Sequence, residues 1–234
     1  MSELTYSPIA LKDRFRGFYP VVVDVETAGF DPKLDALIEV SMMTVKMDEH
    51  GFLSPNEIVS ANIRPFDGAN IVKTNIDFLG IDPFDETRNL KTEREALIPM
   101  FKNIAKEVKK NACSRAVLVG HNANFDLSFI NAAIERLNYK RSPFHPFSVF
   151  DTASLSALVF GQTVLSKACF AANIKFDGNK AHGSEYDTLK ECELFCSIVN
   201  KYTTFAGIPA PLLDCPSSQE LHTKRASKAD GDES

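Results

Sequence analysis

Short runs of hydrophobic residues in the first part of the chain predict three β-strands. Residues 19–26 are apolar and β-branched, as in a strand that is covered on both faces. Residues 36–48 alternate in part between apolar and polar side chains, and residues 57–64 form a third run that ends before Pro65. Because only short turns separate the three runs, we expect an antiparallel meander.

Helix and strand signals alternate along the rest of the chain. We predict helices near 71–80, from Thr92 to about 112, at 124–137, from Asp151 onward, at 163–173 and at 184–205. Two further short strands are predicted at 116–120 and 146–150. The order of elements predicts an α/β fold in which helices flank a mixed five-stranded sheet.

The length of the chain, 234 residues, suits one domain, which we place at residues 1–208. Prolines and polar residues dominate from 209 to 234, and we expect this tail to be disordered. A hydrophobic content of 44% excludes disorder of the whole chain. We expect no membrane span, because no apolar run approaches the ~18 residues that a span needs, and we find no secretory signal pattern at the N-terminus. The five cysteines are scattered and odd in number, which favours the reducing cytoplasm.

The formal net charge is -5, which by itself argues against a nucleic-acid-binding protein. The distribution of charge changes this conclusion. Residues 102–115 contain five lysines and arginines and only one acid, Glu107, and basic residues also cluster near the N-terminus and at 136–141. Such clusters are either phosphate-binding surfaces or ordinary solvated helix faces, and charge alone leaves both interpretations open.

Two acids lie at the end of the first predicted strand. Asp24 and Glu26 are two residues apart, so both side chains point to the same face of the sheet. Two neighbouring carboxylates on an apolar strand repel each other and lose solvation, and a cation between them relieves both penalties. The spacing alone proves nothing, because about one such pair is expected by chance at this acid content.

Two more acids begin predicted helices. Asp126 follows the strand at 116–120 within the segment His121-Asn-Ala-Asn-Phe-Asp, and Asp187 lies five residues after His182. Each also has an ordinary structural interpretation. Asp126 suits the first turn of a helix because of the helix dipole, and Ser184 with Asp187 fits a capping pair.

Taken together, the order and spacing of these acidic motifs resemble the DEDDh branch of 3′-to-5′ exonucleases, which includes the proofreading subunit of bacterial DNA polymerase III. Further segments resemble the ribonuclease T branch of this superfamily, and they lie at 14–20, 24–30, 121–126, 143–147 and 161–169. The likeness covers residues 12–205. It implies a ribonuclease H-like fold and a hydrolase that releases nucleoside 5′-monophosphates.

The resemblance also implies a metal centre. Carboxylate oxygens suit Mg²⁺, for which Mn²⁺ can substitute, and two such ions can assist an in-line displacement at phosphorus. By likeness, Asp24 lies between the two ions, Glu26 and Asp187 complete the first site, and Asp126 supports the second.

A histidine is suited to accept the proton of the attacking water near neutral pH. His121 and His182 are both candidates, because each precedes an aspartate by five residues. We favour His182, since Gly183 lets the loop before the last helix bring the ring over the scissile phosphate. His121 ends a buried strand, where we expect it to support the loop around Asp126.

Substrate contacts are expected from aromatic and basic side chains. Most of the 18 phenylalanines belong to the core, but four occupy positions near the acidic motifs or in exposed turns, where they can stack on unpaired bases: Phe30, Phe78, Phe125 and Phe147. Family likeness further implies a homodimer in which the basic surface of one subunit faces the active site of the other. The candidate phosphate contacts are Arg14, Arg16, Lys109, Arg115 and Lys140.

The sequence therefore predicts a Mg²⁺-dependent 3′-to-5′ exoribonuclease that trims the 3′ ends of tRNA and other stable RNAs, and that also digests single-stranded DNA. The alternative enzyme is a DNA proofreading exonuclease that works within a polymerase complex. A third hypothesis, an inactive nucleic-acid-binding protein, is disfavoured because all five motif positions are occupied.

Overall fold

The computed structural model describes residues 10–207, so the predicted tail at 209–234 lies outside the described residues. Its centre is a five-stranded sheet in the order β3-β2-β1-β4-β5. The strands are β1 (Phe18–Thr27), β2 (Leu37–Met47), β3 (Leu53–Asn62), β4 (Arg115–Gly120) and β5 (Phe144–Asp151). The first three form an antiparallel meander, whereas β4 runs parallel to β1 and β5 runs parallel to β4. The predicted mixed five-stranded sheet is confirmed.

Helices cover both faces of this sheet. Within residues 10–207 they are α1 (Lys73–Leu79), α2 (Glu93–Lys110), α3 (Asn124–Arg136), α4 (Thr152–Phe160), α5 (Leu165–Ala171) and α6 (Ser184–Ala206). Helix α6 packs across β1, β2 and β3, and α3 packs against β1, β4 and β5. Val21, Val22 and Val23 in β1 are all fully buried. Because successive strand residues point to opposite faces, their burial requires a covering layer on each side.

Element boundaries lie within two residues of the sequence predictions, with one clear exception. Strand β3 begins at Leu53 rather than near residue 57. Leu53 pairs with Met47 of β2, and its backbone N–H and C=O bond the side-chain amide of Asn200 at 2.7 and 2.8 Å. This early start depends on a helix almost 150 residues away in sequence, so local patterning does not reveal it.

One apolar stretch, Thr152–Ala171, is 20 residues long with a mean hydropathy of 1.2, which meets the length and composition of a membrane span. The sequence analysis did not identify this stretch as long and apolar enough for a span. In the structure it forms two separate helices, α4 of 9 residues and α5 of 7 residues. At about 1.5 Å per residue, neither helix can cross a hydrocarbon core of about 30 Å.

Candidate active site

The topology brings the predicted acids to one edge of the sheet. Asp24 and Glu26 lie near the C-terminal end of β1, and Asp126 lies in the first turn of α3, which follows β4. Because β1 and β4 are parallel neighbours, their C-terminal ends meet at the same edge. Asp187 lies in the first turn of α6, which packs against β1.

Asp126 is buried and is fixed directly to β1. The backbone N–H of Val25, which lies between Asp24 and Glu26, donates a hydrogen bond to Asp126 Oδ1 at 3.1 Å. A side chain at Gly120 would crowd this carboxylate, because a Cβ there would lie 3.1 Å from Asp126 Oδ2. The glycine at the end of β4 therefore makes room for the third acid next to the first two.

Burial and mutual repulsion raise the pKa values of these carboxyl groups. Burial raises the pKa of Asp24 well above its usual value, and the charges of Glu191, Asp126, Glu26 and Asp187 add to this effect. Burial also raises the pKa of Asp126 to about 8, against two backbone hydrogen bonds that lower it. These groups therefore favour the protonated form unless positive charge is brought to them.

The pKa of Glu26 is raised for the same reasons. Burial raises its pKa to about 8, with contributions from the charges of Glu39 and Asp187. Glu39 lies opposite Glu26 in the β1–β2 register, and its carboxylate is paired with Arg88 at 2.5 Å. Since Arg88 is bound to Glu39, Glu26 is left with acidic neighbours.

Two oxygens of this cluster are buried without a hydrogen-bond partner among the described residues, Asp24 Oδ2 and Asp187 Oδ1. Buried polar atoms normally have a partner, and an unpartnered carboxylate oxygen is especially unfavourable. Within residues 10–207, no group of three or more His, Cys, Asp or Glu side chains is preassembled to hold a metal ion. The bare oxygens are nevertheless hard ligands of the kind that divalent cations prefer, so the donor set fits such a cation.

His182 lies on the loop before α6, in the left-handed backbone region with φ of 66°. Its backbone N–H donates a hydrogen bond to Asp187 Oδ2 at 2.9 Å. The exposed ring packs edge-on against Phe78, with 4.9 Å between ring centroids. Asp187 does not pair with a Ser184 cap, because Gly183 is the N-cap residue of α6 and no side chain caps it. The loop thus presents His182 beside the acids with a ring that is open to solvent.

His121 has a different environment. Its Nδ1 lies 3.0 Å from Thr152 Oγ1, and its Nε2 lies 2.8 Å from the backbone oxygen of Thr163. Burial lowers the pKa of the His121 ring, and the hydrogen bond to Thr163 and the charge of Asp151 offset part of this decrease. Both ring nitrogens are thus engaged within the fold, as expected for a residue that supports the adjacent loop.

Three of the four singled-out phenylalanines lie beside the site. Phe30 and Phe125 are in edge contact with 6.3 Å between ring centroids, and Phe78 contacts His182. Phe30 is 77% exposed, which is unusual for a large apolar side chain. Phe147 is also exposed, but its ring packs against His145. The structure therefore groups Phe30, Phe125 and Phe78 around the acids and places Phe147 in a separate aromatic contact.

The predicted phosphate contact Arg14 needs correction. Its side chain is buried, and its guanidinium donates to the backbone oxygen of Gly51 at 2.6 Å and to Thr203 Oγ1 at 3.2 Å. These bonds tie the N-terminal segment to the β2–β3 turn and to α6. Arg14 is therefore a structural residue, and a run of basic residues in the sequence could not distinguish it from its exposed neighbour Arg16.

The other four basic candidates are exposed but lie away from the acids. Arg115 begins β4 and pairs with Phe18 at the start of β1. Glu26 is eight residues further along β1, or about 26 Å at ~3.3 Å per residue. Arg16 lies two residues before β1 and Lys140 lies four residues before β5, whereas Lys109 is in the last turn of α2, the helix that leads into β4, so all three lie towards the edge of the sheet where these strands begin.

The sequence analysis missed one acid in this region, Glu191. It is only 3% exposed, and it lies four residues after Asp187 on α6. That spacing places both side chains on one face of the helix, and it was the only signal available in the sequence.

Comparisons with known proteins identify the family of this chain. The sequence model of the Exonuclease family matches residues 21–195. Ribonuclease T of Hahella chejuensis is 57% identical over 208 residues, covering 88% of this chain and 95% of the relative. Ribonuclease T of Salmonella choleraesuis is 54% identical over 202 residues, covering 86% of this chain and 94% of the relative.

Solved structures share the fold at much lower identity. The nuclease domain of 3′hExo, a DEDDh family member bound to rAMP, has a TM-score of 0.56 at 16% identity and covers 82% of this chain and 95% of that chain. Exonuclease I of E. coli in complex with a dT13 oligonucleotide has a TM-score of 0.58 at 14% identity, covering 80% of this chain and 42% of that chain. These neighbours confirm the ribonuclease H-like architecture. The chain belongs to the ribonuclease T family of 3′-to-5′ exoribonucleases.

Proposed function

We propose that this exoribonuclease trims single-stranded 3′ ends of tRNA and other stable RNAs at a centre of two Mg²⁺ ions, and that it also accepts single-stranded DNA. The observation that carries the proposal is the convergence of four acids, distant in the chain, with two bare buried oxygens among them. Asp24, Glu26, Asp126 and Asp187 would hold the cations. Bound divalent cations supply charge stabilisation to the attacking and leaving oxygens of an in-line displacement.

In this proposal His182 accepts a proton from the attacking water. Its ring is exposed next to Asp187, whereas both ring nitrogens of His121 are already engaged. A general base must reach the proton that it removes, and the loop position of His182 allows such an approach. Phe78, in contact with the His182 ring, limits the directions in which that ring can turn.

The exposed aromatic side chains would bind the last nucleotides. Phe30 and Phe125 form a pair next to the acids, and aromatic faces stack on any unpaired base. The loop that carries Phe30 is firmly held. Asp35 accepts hydrogen bonds from the Asp31 backbone N–H at 2.8 Å and from Asn70 Nδ2 at 2.6 Å. Such preorganisation lowers the entropic cost of binding a strand end.

Replacing both Phe30 and Phe125 with alanine should weaken binding of a single-stranded 3′ end by about 30-fold or more, because each stacked base contributes ~1–3 kcal/mol. Binding is measured by fluorescence anisotropy with a 3′-overhang RNA, in Ca²⁺ to suppress cleavage. Phe170→Ala is the matched control, since Phe170 is 84% exposed on α5. Equal affinities of the double variant and the control would refute the stacking role.

The exposed basic residues at the far sheet edge support the expected homodimer. An RNA 3′ end held at the acids is about 26 Å from Arg115 of the same chain, as estimated along β1 at ~3.3 Å per residue. In a homodimer, the partner's copy of this basic edge would lie beside the active site and bind upstream phosphates.

A reducing compartment such as the cytoplasm also suits the chain. The four cysteines of the described residues, Cys113, Cys169, Cys192 and Cys196, are unpaired thiols that are buried or half-buried. Free buried thiols are usual for proteins of the cytoplasm.

The raised carboxyl pKa values predict an unusual pH dependence for the protein in EDTA. The pKa values of Glu26 and Asp126 are about 8 in the folded state, against usual values of 4.5 and 3.8. At pH values between the usual and the raised pKa values, the folded state binds more protons than the unfolded state. The free energy of unfolding therefore falls as pH rises towards and through 8. We expect Tm, followed by circular dichroism, to decrease from pH 5 to pH 9 and Mg²⁺ to reverse most of the decrease. A Tm that rises over this interval would contradict the assignment.

The proposed activity is tested by identifying the products released from three substrates. A 3′-extended tRNA, a mismatched DNA primer and a single-stranded DNA are each digested with and without chelator. We expect release of nucleoside 5′-monophosphates that requires a divalent cation and is fastest on the tRNA extension. Faster digestion of the mismatched primer would favour a DNA proofreading enzyme instead.

A further inference from the structure

Glu191 is an acid that the four-carboxylate motif does not include. Its side chain is 3% exposed, and its Oε2 has no hydrogen-bond partner among the described residues. The neighbouring Lys190 does not neutralise it, because the Lys190 ammonium pairs with Glu193 at 2.9 Å. Glu191 is thus a buried carboxyl group with an oxygen that no described residue satisfies.

The groups around Glu191 are mostly acidic. Burial raises the pKa of the Glu191 carboxyl group, and the charges of Asp126, Asp187 and Asp151 raise it further. Glu191 in turn raises the pKa of Asp24. The backbone N–H of His121, just after β4, favours the charged form of Glu191. Glu191 lies one helical turn after Asp187 on α6, which packs against β1 and β4, so both side chains are on the same face of that helix.

A purely structural role does not explain this arrangement. A buried acid that stabilises a fold normally has a cation partner or a complete set of hydrogen bonds. An acid placed among four others raises the repulsion within the cluster. Glu191 would lower the stability of the fold in the absence of a cation and would increase the attraction for a cation that enters the cluster.

We propose that Glu191 is a fifth acidic residue of the metal centre and that it increases the affinity of the protein for divalent cations. This inference rests on the proposed role of the four motif acids as metal ligands. Glu191 acts by adding negative charge and a free oxygen next to those ligands, either on a cation directly or through a coordinated water.

The test measures cation binding without nucleic acid. Mn²⁺ is titrated into the full-length protein, and free Mn²⁺ is followed by electron paramagnetic resonance. Glu191→Gln keeps the size of the side chain and removes its charge, and we expect the Kd for Mn²⁺ to rise by about 10-fold to 100-fold. Glu185→Gln is the control, because it removes the same charge from an exposed position on the same helix. An unchanged Kd in Glu191→Gln would overturn the proposal.

A second readout separates a metal role from a structural one. In EDTA we expect the Tm of Glu191→Gln to equal or exceed that of the wild type, because the substitution relieves repulsion in the cluster. Glu191→Met provides the same comparison with an apolar side chain of similar length. If both variants lower the Tm in EDTA or fail to fold, Glu191 is a structural residue and the proposal is wrong.

Asp24→Asn distinguishes failure of this inference from failure of the proposed function. If Asp24→Asn weakens Mn²⁺ binding and Glu191→Gln does not, the metal centre stands and only the role of Glu191 is refuted. If Asp24→Asn binds Mn²⁺ as the wild type does, the four acids do not form the cation site, and both proposals fail together.

Discussion

Replacing His182 with alanine is expected to slow mononucleotide release by about 100-fold to 10,000-fold, the range typical for loss of a general base. The side chain makes no hydrogen bond within residues 10–207, and its ring is exposed, so folding should be unaffected. The backbone N–H that bonds Asp187 Oδ2 remains in the variant. Cation binding and RNA binding should therefore persist, and only the rate of release from a 3′-labelled strand should fall.

Two other histidines serve as controls for this experiment. His50 is exposed near the β2–β3 turn, and His50→Ala should release mononucleotides at the wild-type rate. His121→Ala removes contacts to Thr152 and Thr163, so we expect a lower Tm from this variant. Near wild-type turnover in His182→Ala, together with a large loss of turnover in His121→Ala at unchanged Tm, would reverse the assignment of the two histidines.

The sequence predicted the elements that form the core because their patterns are local. The consecutive valines of β1 are buried on both faces, and the capping box of Thr92 and Glu95 begins α2 as expected, with the Glu95 backbone N–H donating to Thr92 Oγ1 at 3.3 Å. The convergence of Asp24, Asp126 and Asp187 followed from motif order and from family resemblance. It did not follow from spacing alone, since each motif had an ordinary local interpretation.

Residues whose roles depend on distant neighbours were the ones missed. Arg14 looked like its exposed neighbour Arg16, but its guanidinium bonds Gly51 and Thr203, which are 37 and 189 residues away. Glu191 looked like one more acid on an amphipathic helix, and only the packing of α6 against β1 and β4 shows that it is buried beside the cluster. Burial is a property of the tertiary fold, so helical spacing could suggest which face Glu191 shares but not what covers that face.

Asp24→Asn should reduce activity by a factor comparable to that expected for His182→Ala. Burial and the charges of four other acids raise the pKa of Asp24, and its Oδ2 is buried without a hydrogen-bond partner among the described residues. We expect the substitution to remove ~4 kcal/mol of charge stabilisation from the transition state, which lowers the rate by about 1,000-fold. The asparagine also removes repulsion from the buried cluster, so the variant should be at least as stable as the wild type in EDTA. A loss of activity without a loss of stability is the signature expected of a metal ligand.

The experiment measures mononucleotide release across a range of Mg²⁺ concentrations, together with Tm in EDTA and in Mg²⁺. We expect Mg²⁺ to raise the Tm of the wild type much more than that of Asp24→Asn, because ligand binding stabilises only the state that binds. Asp67→Asn is the control, since Asp67 is exposed and should respond to Mg²⁺ as the wild type does. If Asp24→Asn instead unfolds at a lower temperature in EDTA and keeps the Mg²⁺ response, then Asp24 supports the fold rather than the cations, and the active site must be sought elsewhere on the sheet.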